Sequence, residues 1–139
     1  MSSEVENALI ESVRTFISTN TFCGLKMKEG GDACWNKAYA PGAAIIRPSG
    51  NPVFKKDFFR LISNRDIEWL ADAELVKIQL IRIFANGLAA VVVFVMDQRF
   101  KYKGVENHDR ATFTMTLERG PHSWKIIHGQ RSTGRPIPK

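Results

Sequence analysis

Past Asn64 the spacing of apolar residues changes from three or four to two, and this change divides the chain into a helical part and a sheet part. Glu74 to Phe84 alternates and is rich in Ile and Val, which favours a strand. Asn86-Gly87 follows between two apolar runs, a strong hairpin signal because both residues accept the left-handed backbone of a tight turn. Leu88 to Tyr102 then returns as a long strand. Lys103-Gly104 turns the chain again, and Asn107 to Glu118 alternates strictly. Arg119-Gly120-Pro121 makes a further turn before the last strand, Ser123 to Ser132. Three successive hairpins predict an antiparallel meander of four long strands.

The first half reads as helices. Ser3 and Glu6 carry the S-x-x-E pattern of a capping box, and Val5, Leu9, Val13 and Phe16 follow at helical spacing. The stretch from Asn20 to Gly31 is rich in Thr, Gly and Lys and reads as a loop or a weak turn of helix. A short second helix is expected over 32–39, stopped by Pro41-Gly42, and a short strand over 43–47. A third helix is expected from about Val53 to Asn64, with Phe54, Phe58, Leu61 and Ile62 on one side. Helices first and a meander after is the order of an α+β fold, with the helices gathered on one face of a curved sheet. No repeat or linker interrupts residues 1–139, so one domain is expected.

Composition narrows the class. Of 139 residues, 44% are hydrophobic and 24% charged, enough to bury a core and too apolar for a disordered chain. The longest apolar run, Leu88 to Met96, is too short to span a bilayer, which needs roughly 20 residues. The N-terminus carries acids rather than the basic start and apolar block of a secretory signal, so a cytoplasmic protein is expected. Cys23 and Cys34 lack the C-x-x-C spacing and are expected as free thiols, and three histidines without paired spacing give no metal site. A net charge of +6 favours anionic partners. Arg99-Phe100-Lys101-Tyr102-Lys103 interleaves cations and aromatics, but no nucleic-acid-binding motif accompanies it and nucleic acid is not the expected partner.

This plan, with Ala38-Tyr39-Ala40-Pro41-Gly42-Ala43 after the second helix and a sheet closing on Trp124-Lys125-Ile126-Ile127-His128, resembles the nuclear transport factor 2-like superfamily. Its SnoaL-like members and ketosteroid isomerases share the plan over nearly the whole chain. The closing residues Trp124 to Ser132, preceded by Asn107-His108-Asp109-Arg110, are similar to the hub (association) domain of calcium/calmodulin-dependent protein kinase II, which typically ends W-x-x-V-H-x-H-x-S-G. Here Gln130 replaces the second histidine, and Thr133 stands between Ser132 and Gly134. The resemblance implies a cone whose sheet wraps around the helices and leaves a pocket, no cofactor, and a homodimer or larger ring. It also implies that Arg110 and Arg131 correspond to arginines that line the hub pocket and bind carboxylates.

The candidate residues each have two readings. Arg110 and Arg131 could form an anion clamp, because guanidinium is planar, always charged and offers a fork to a carboxylate; each could instead pair with a local acid such as Asp109 or Glu106. Alternation places Arg110 with Thr112 and Thr114, opposite Phe113, Met115 and Leu117, so it points outward unless a bulge re-aims it. Asp97 ends an apolar run and is a candidate general base with a raised pKa, or marks where the strand meets solvent. His128 shares a face with Trp124 and Ile126 under alternation and is a candidate acid or base, or a hydrogen-bond anchor. Trp35, Tyr39, Phe54 and Phe58 are candidates for the apolar wall of a pocket, or ordinary core.

Three functions are consistent with these residues. The first is a pocket for a small anionic or amphipathic molecule, since no complete catalytic set is visible. The second is a SnoaL-like isomerase, cyclase or dehydratase with Asp97 or His128 as base. The third is an assembly module like the kinase hub.

Overall fold

The computed structural model describes residues 2–20, 23 and 31–138. The chain runs α1 (Ser3–Asn20), α2 (Ala33–Ala38), β1 (Tyr39–Ile46), β2 (Pro52–Phe54), α3 (Lys55–Ser63), β3 (Ile67–Trp69), β4 (Glu74–Phe84), β5 (Ala89–Tyr102), β6 (Val105–Arg119), β7 (Trp124–Arg131) and β8 (Arg135–Pro136). The loop expected over 20–31 lies outside the described residues except for Asn20, Cys23 and Gly31.

The α1 cap sits one residue earlier than the sequence pattern predicts. Ser2 Oγ, not Ser3, accepts from the Val5 amide at 3.2 Å. Leu9, Val13, Phe16 and Ile17 form the buried stripe of α1, and Trp124 Nε1 donates to Ser12 Oγ at 2.9 Å, tying the helix to β7. The third helix starts two residues later than expected, because Pro52–Phe54 pairs with β1 as β2.

The four-strand meander β4-β5-β6-β7 is present and antiparallel throughout. β5 pairs along its whole length with β6, while β4 and β3 share its other edge, at residues 89–97 and 100–102 respectively. β1 joins the far side of the meander, parallel to β7, with Ile45 opposite Gly129 and Ile46 opposite Gln130. The resulting sheet curls, and its inner face packs on α1 to give one core that includes Val13, Ile17, Val92, Phe94, Met115, Leu117 and Ile126. Among the described residues no helix is long and apolar enough to cross a membrane.

Bulges decide which side chains face inward. In β6 the alternation is unbroken against β5, so Ala111, Phe113, Met115 and Leu117 are buried while Arg110, Thr112 and Thr114 face the other way. In β7 the register shifts between Thr116 opposite His128 and Leu117 opposite Ile126. The extra residue at Ile127 inverts the parity, so Trp124, Ile126 and Gly129 are buried and His128 is exposed.

The free thiols expected of Cys23 and Cys34 are a correction. The two sulfurs are bonded, with Cα atoms 5.6 Å apart, and the bridge ties the segment after α1 to α2.

Candidate binding cavity

Between the inner face of the sheet and helices α2 and α3 lies a cavity of about 340 Å³. Its volume is within the range of small-molecule sites. Trp35 and Tyr39 stack with ring centroids 4.0 Å apart, and Phe58 tilts against Trp35 at 5.6 Å. The series continues from Phe58 to Trp69 at 6.3 Å and from Trp69 to Phe100 at 5.3 Å. These rings come from α2, β1, α3, β3 and β5, so five separate elements contribute to one aromatic wall. Phe94, Met96, Phe113 and Met115 form the part of the lining supplied by the central strands.

Few polar groups interrupt this wall. Gln98 is 3% exposed and sits in the inward row of β5 between Met96 and Phe100. Its Oε1 accepts from Arg131 Nε at 2.8 Å. Arg131 Nη1 donates to the Ser132 carbonyl at 3.3 Å, and Asp109 Oδ2 stands 3.7 Å from Nη2. Nη2 is buried with no hydrogen-bond partner among the described residues. Burial lowers the pKa of this guanidinium and Asp109 opposes the shift, but arginine stays charged. Gly134 lets the last segment cross tightly over Asp109, since a Cβ there would lie 2.6 Å from its Oδ2. Arg47 and Ser49, from the turn after β1, add to the polar lining, and Arg47 Nε is likewise buried with no hydrogen-bond partner among the described residues. The site is therefore an aromatic slot with cationic groups along part of its wall.

A family model described as "Protein of unknown function (DUF3804)" matches residues 35–136, about three quarters of the chain. The chain belongs to the DUF3804 family. No match was found among proteins with curated functions. Among solved structures the DUF3804 chain is similar to a nuclear transport factor 2-like protein of unknown function from Prochlorococcus, at 27% identity and a TM-score of 0.74, covering 99% of this chain and 97% of that one. It is also similar in fold to the association domain of the C. elegans calcium/calmodulin-dependent kinase II, at 13% identity and TM-score 0.56, covering 94% and 96%. A ketosteroid isomerase-like protein from Erwinia carotovora matches at 13% identity and TM-score 0.58, covering 95% and 97%. The expected nuclear transport factor 2-like cone is thus the fold of the DUF3804 chain.

Within that fold the candidate residues separate. Arg131, Trp35, Tyr39 and Phe58 line the cavity. Phe54 does not; it is exposed and lines a second, neighbouring cavity with Lys55, Lys56 and Lys125, where Trp35 and Tyr39 also contribute. Arg110 faces outward, and its Nε and Nη2 donate to Asp97 Oδ1 and Oδ2 at 2.7 and 3.0 Å. The clamp expected of Arg110 with Arg131 therefore does not assemble, because unbroken alternation in β6 puts the two on opposite faces.

Asp97 likewise stands outside the cavity, and its pKa is lowered rather than raised: the Arg110 hydrogen bonds outweigh the opposing effect of burial. His128 is exposed on the outer face because of the β7 bulge, opposite Thr116 and Ala44. Asp57 accepts from the Phe54 amide at 3.0 Å and so caps α3. In the basic-aromatic run, Phe100 and Tyr102 line the cavity, which accounts for the interleaving without nucleic acid.

Gln98, Arg47, Trp69 and Phe100 are among the site residues that sequence reasoning missed. The signal was present, since Gln98 alternates with Phe94 and Met96, and Arg47 with Ala43 and Ile45.

Proposed function

We propose that this protein binds a small amphipathic acid, with the apolar body against the aromatic wall and the acid group on Arg131. The observation that carries this reading is a partly buried cation whose Nη2 makes no hydrogen bond among the described residues, inside an otherwise aromatic cavity. A buried charge without full compensation is costly, and a ligand anion would supply the missing partner. Binding is favoured over acid–base catalysis because the described residues lining the cavity include no carboxylate or imidazole.

The test is a thermal-shift screen of aliphatic and aromatic carboxylates against the wild type, Arg131→Ala and Arg110→Ala. An acid present at 100 times its dissociation constant should add about 2.7 kcal/mol of stability. The shift is expected to persist in Arg110→Ala and vanish in Arg131→Ala. No shift with any acid, or an unchanged shift in Arg131→Ala, would reject the reading.

A second reading concerns assembly. Leu80, Val91 and Val93 share the outer face of the sheet with Thr112, Thr114 and Thr116, with Lys77 and Arg82 at its β4 side. This surface supports association with a second copy of the chain as a homodimer. Sedimentation should then give a dimer that Val93→Glu converts to monomer; a wild-type monomer at all concentrations would reject it.

A further inference from the structure

The parallel pairing of β1 with β7 ends at Ile46 opposite Gln130, so Arg47, the first residue past β1, and Arg131, the last of β7, come next in register. Both line the cavity. Arg47 is fixed at its backbone by a tight turn, its amide donating to the Asn51 carbonyl at 3.0 Å and its carbonyl accepting from Gly50 at 2.8 Å. Each guanidinium keeps one buried nitrogen without a hydrogen-bond partner among the described residues, Nε in Arg47 and Nη2 in Arg131. Two neighbouring cations repel, and a protein that holds them side by side in an apolar wall gains most from an anion between them.

The local charge limits what that anion can be. Arg131 has Asp109 at 3.7 Å, whereas Arg47 has no ion-pair partner among the described residues. Two guanidiniums and one carboxylate leave a single positive charge at this part of the wall. A monoanion brings it to neutrality; a dianion would leave an unbalanced negative charge in an aromatic cavity.

We propose that Arg47 and Arg131 form a two-armed clamp for one monoanionic carboxylate head, each arm supplying an N–H to one oxygen, with Asp109 setting the selection against dianions. This rests on the binding reading above and names the second arm and the ligand charge. It also differs from the arginine pair expected from sequence, since the second arm comes from the turn after β1 and not from β6.

The experiment is calorimetric titration with three probes of one shape: naphthalene-2-carboxylate, 2-naphthamide and 2-naphthyl phosphate. The proteins are wild type, Arg47→Ala, Arg47→Gln, Arg131→Ala and Asp109→Asn. On the wild type the carboxylate should bind about ten-fold tighter than the amide or better, and tighter than the phosphate, as a charge-assisted hydrogen bond would give. Arg47→Ala should erase the carboxylate's advantage over the amide. Asp109→Asn should narrow or reverse the preference for carboxylate over phosphate. If Arg47→Ala does not fold, Arg47→Gln decides the same point.

Carboxylate affinity unchanged by loss of Arg47 but abolished in Arg131→Ala would overturn the clamp and leave the binding reading intact. Equal affinity for carboxylate and amide on the wild type, or no binding of any probe, would overturn both.

Discussion

Asp97 stands directly opposite Arg110 on the neighbouring antiparallel strand, and the two close a bidentate ion pair at 2.7 and 3.0 Å on the sheet face away from the cavity. Such cross-strand charge pairs stabilise a sheet and fix its register. Arg110 holds the Asp97 carboxyl below its ordinary value, so the folded state retains the ionised form where the unfolded chain has begun to protonate. The stabilisation is fully present above about pH 4, the unfolded value, and is lost as pH falls through the lower folded value. Asp97→Asn should therefore flatten the fall of stability below about pH 4, as measured by denaturant titration at pH 7 and in the acid range. Carboxylate binding should be unchanged, since neither partner lines the cavity.

How far the site could be read from sequence depended on strand parity. Unbroken alternation in β6 correctly put Phe113, Met115 and Leu117 inside and Arg110 outside. The same rule in β7 fails, because one extra residue at Ile127 turns His128 out and Arg131 in. A bulge of that kind has no marker in the local sequence, since it is set by how β7 must fit both β6 and β1. The parallel partnership of β1 and β7, which brings Arg47 beside Arg131, joins segments more than eighty residues apart and has no local signature. β2, β3 and β8 are two or three residues long, too short for periodicity to register. The disulfide was missed for a related reason: Cys23 and Cys34 have no motif spacing, and the fold of the helical half brings them together.

Gly129 is a point where this packing can be tested. It lies between the bulge and Arg131, and a Cβ there would overlap Met115 Sδ, with Met115 Cε at 3.2 Å and Ile45 Cγ1 at 3.6 Å. Met115 is itself fully buried, so it has little room to yield. Gly129→Ala should cost about 1–3 kcal/mol by overpacking. Combined with Met115→Val the loss should be less than the sum of the two single losses, because the smaller side chain vacates the contested space. Chemical denaturation of the four proteins gives the coupling directly; strict additivity would mean that the two residues do not compete.

The Cys23–Cys34 bridge closes a loop with a sequence separation of 11. Constraining a loop of that size in the unfolded chain is worth about 3 kcal/mol. Reduction, or Cys34→Ser, should lower the unfolding free energy by roughly that amount. Cys23 also lines the cavity, so carboxylate affinity should weaken along with stability. Thiol alkylation in intact cells reports whether the bond is formed where the protein resides. Full labelling of both cysteines would mean that the protein works there in its less stable, reduced form, as a reducing cytosol requires.

Tyr39 gives the alkaline counterpart of the Asp97 argument. Its ring stacks on Trp35 in the cavity wall, and burial pushes the phenol above its ordinary value because the phenolate would lose its hydration. In the unfolded chain the phenol ionises near pH 10, while the folded state holds its proton to higher pH. Stability from this group is complete below about pH 10 and declines as pH rises toward the folded value, at about 1.4 kcal/mol per pH unit. Tyr39→Phe keeps the stacked ring and removes the ionising group. The variant should match the wild type in acid-to-neutral pH dependence and lose stability less steeply between pH 10 and pH 11, measured as the difference in unfolding free energy between the two proteins. Parallel decline in both would place the phenolate in water rather than in the wall of the cavity.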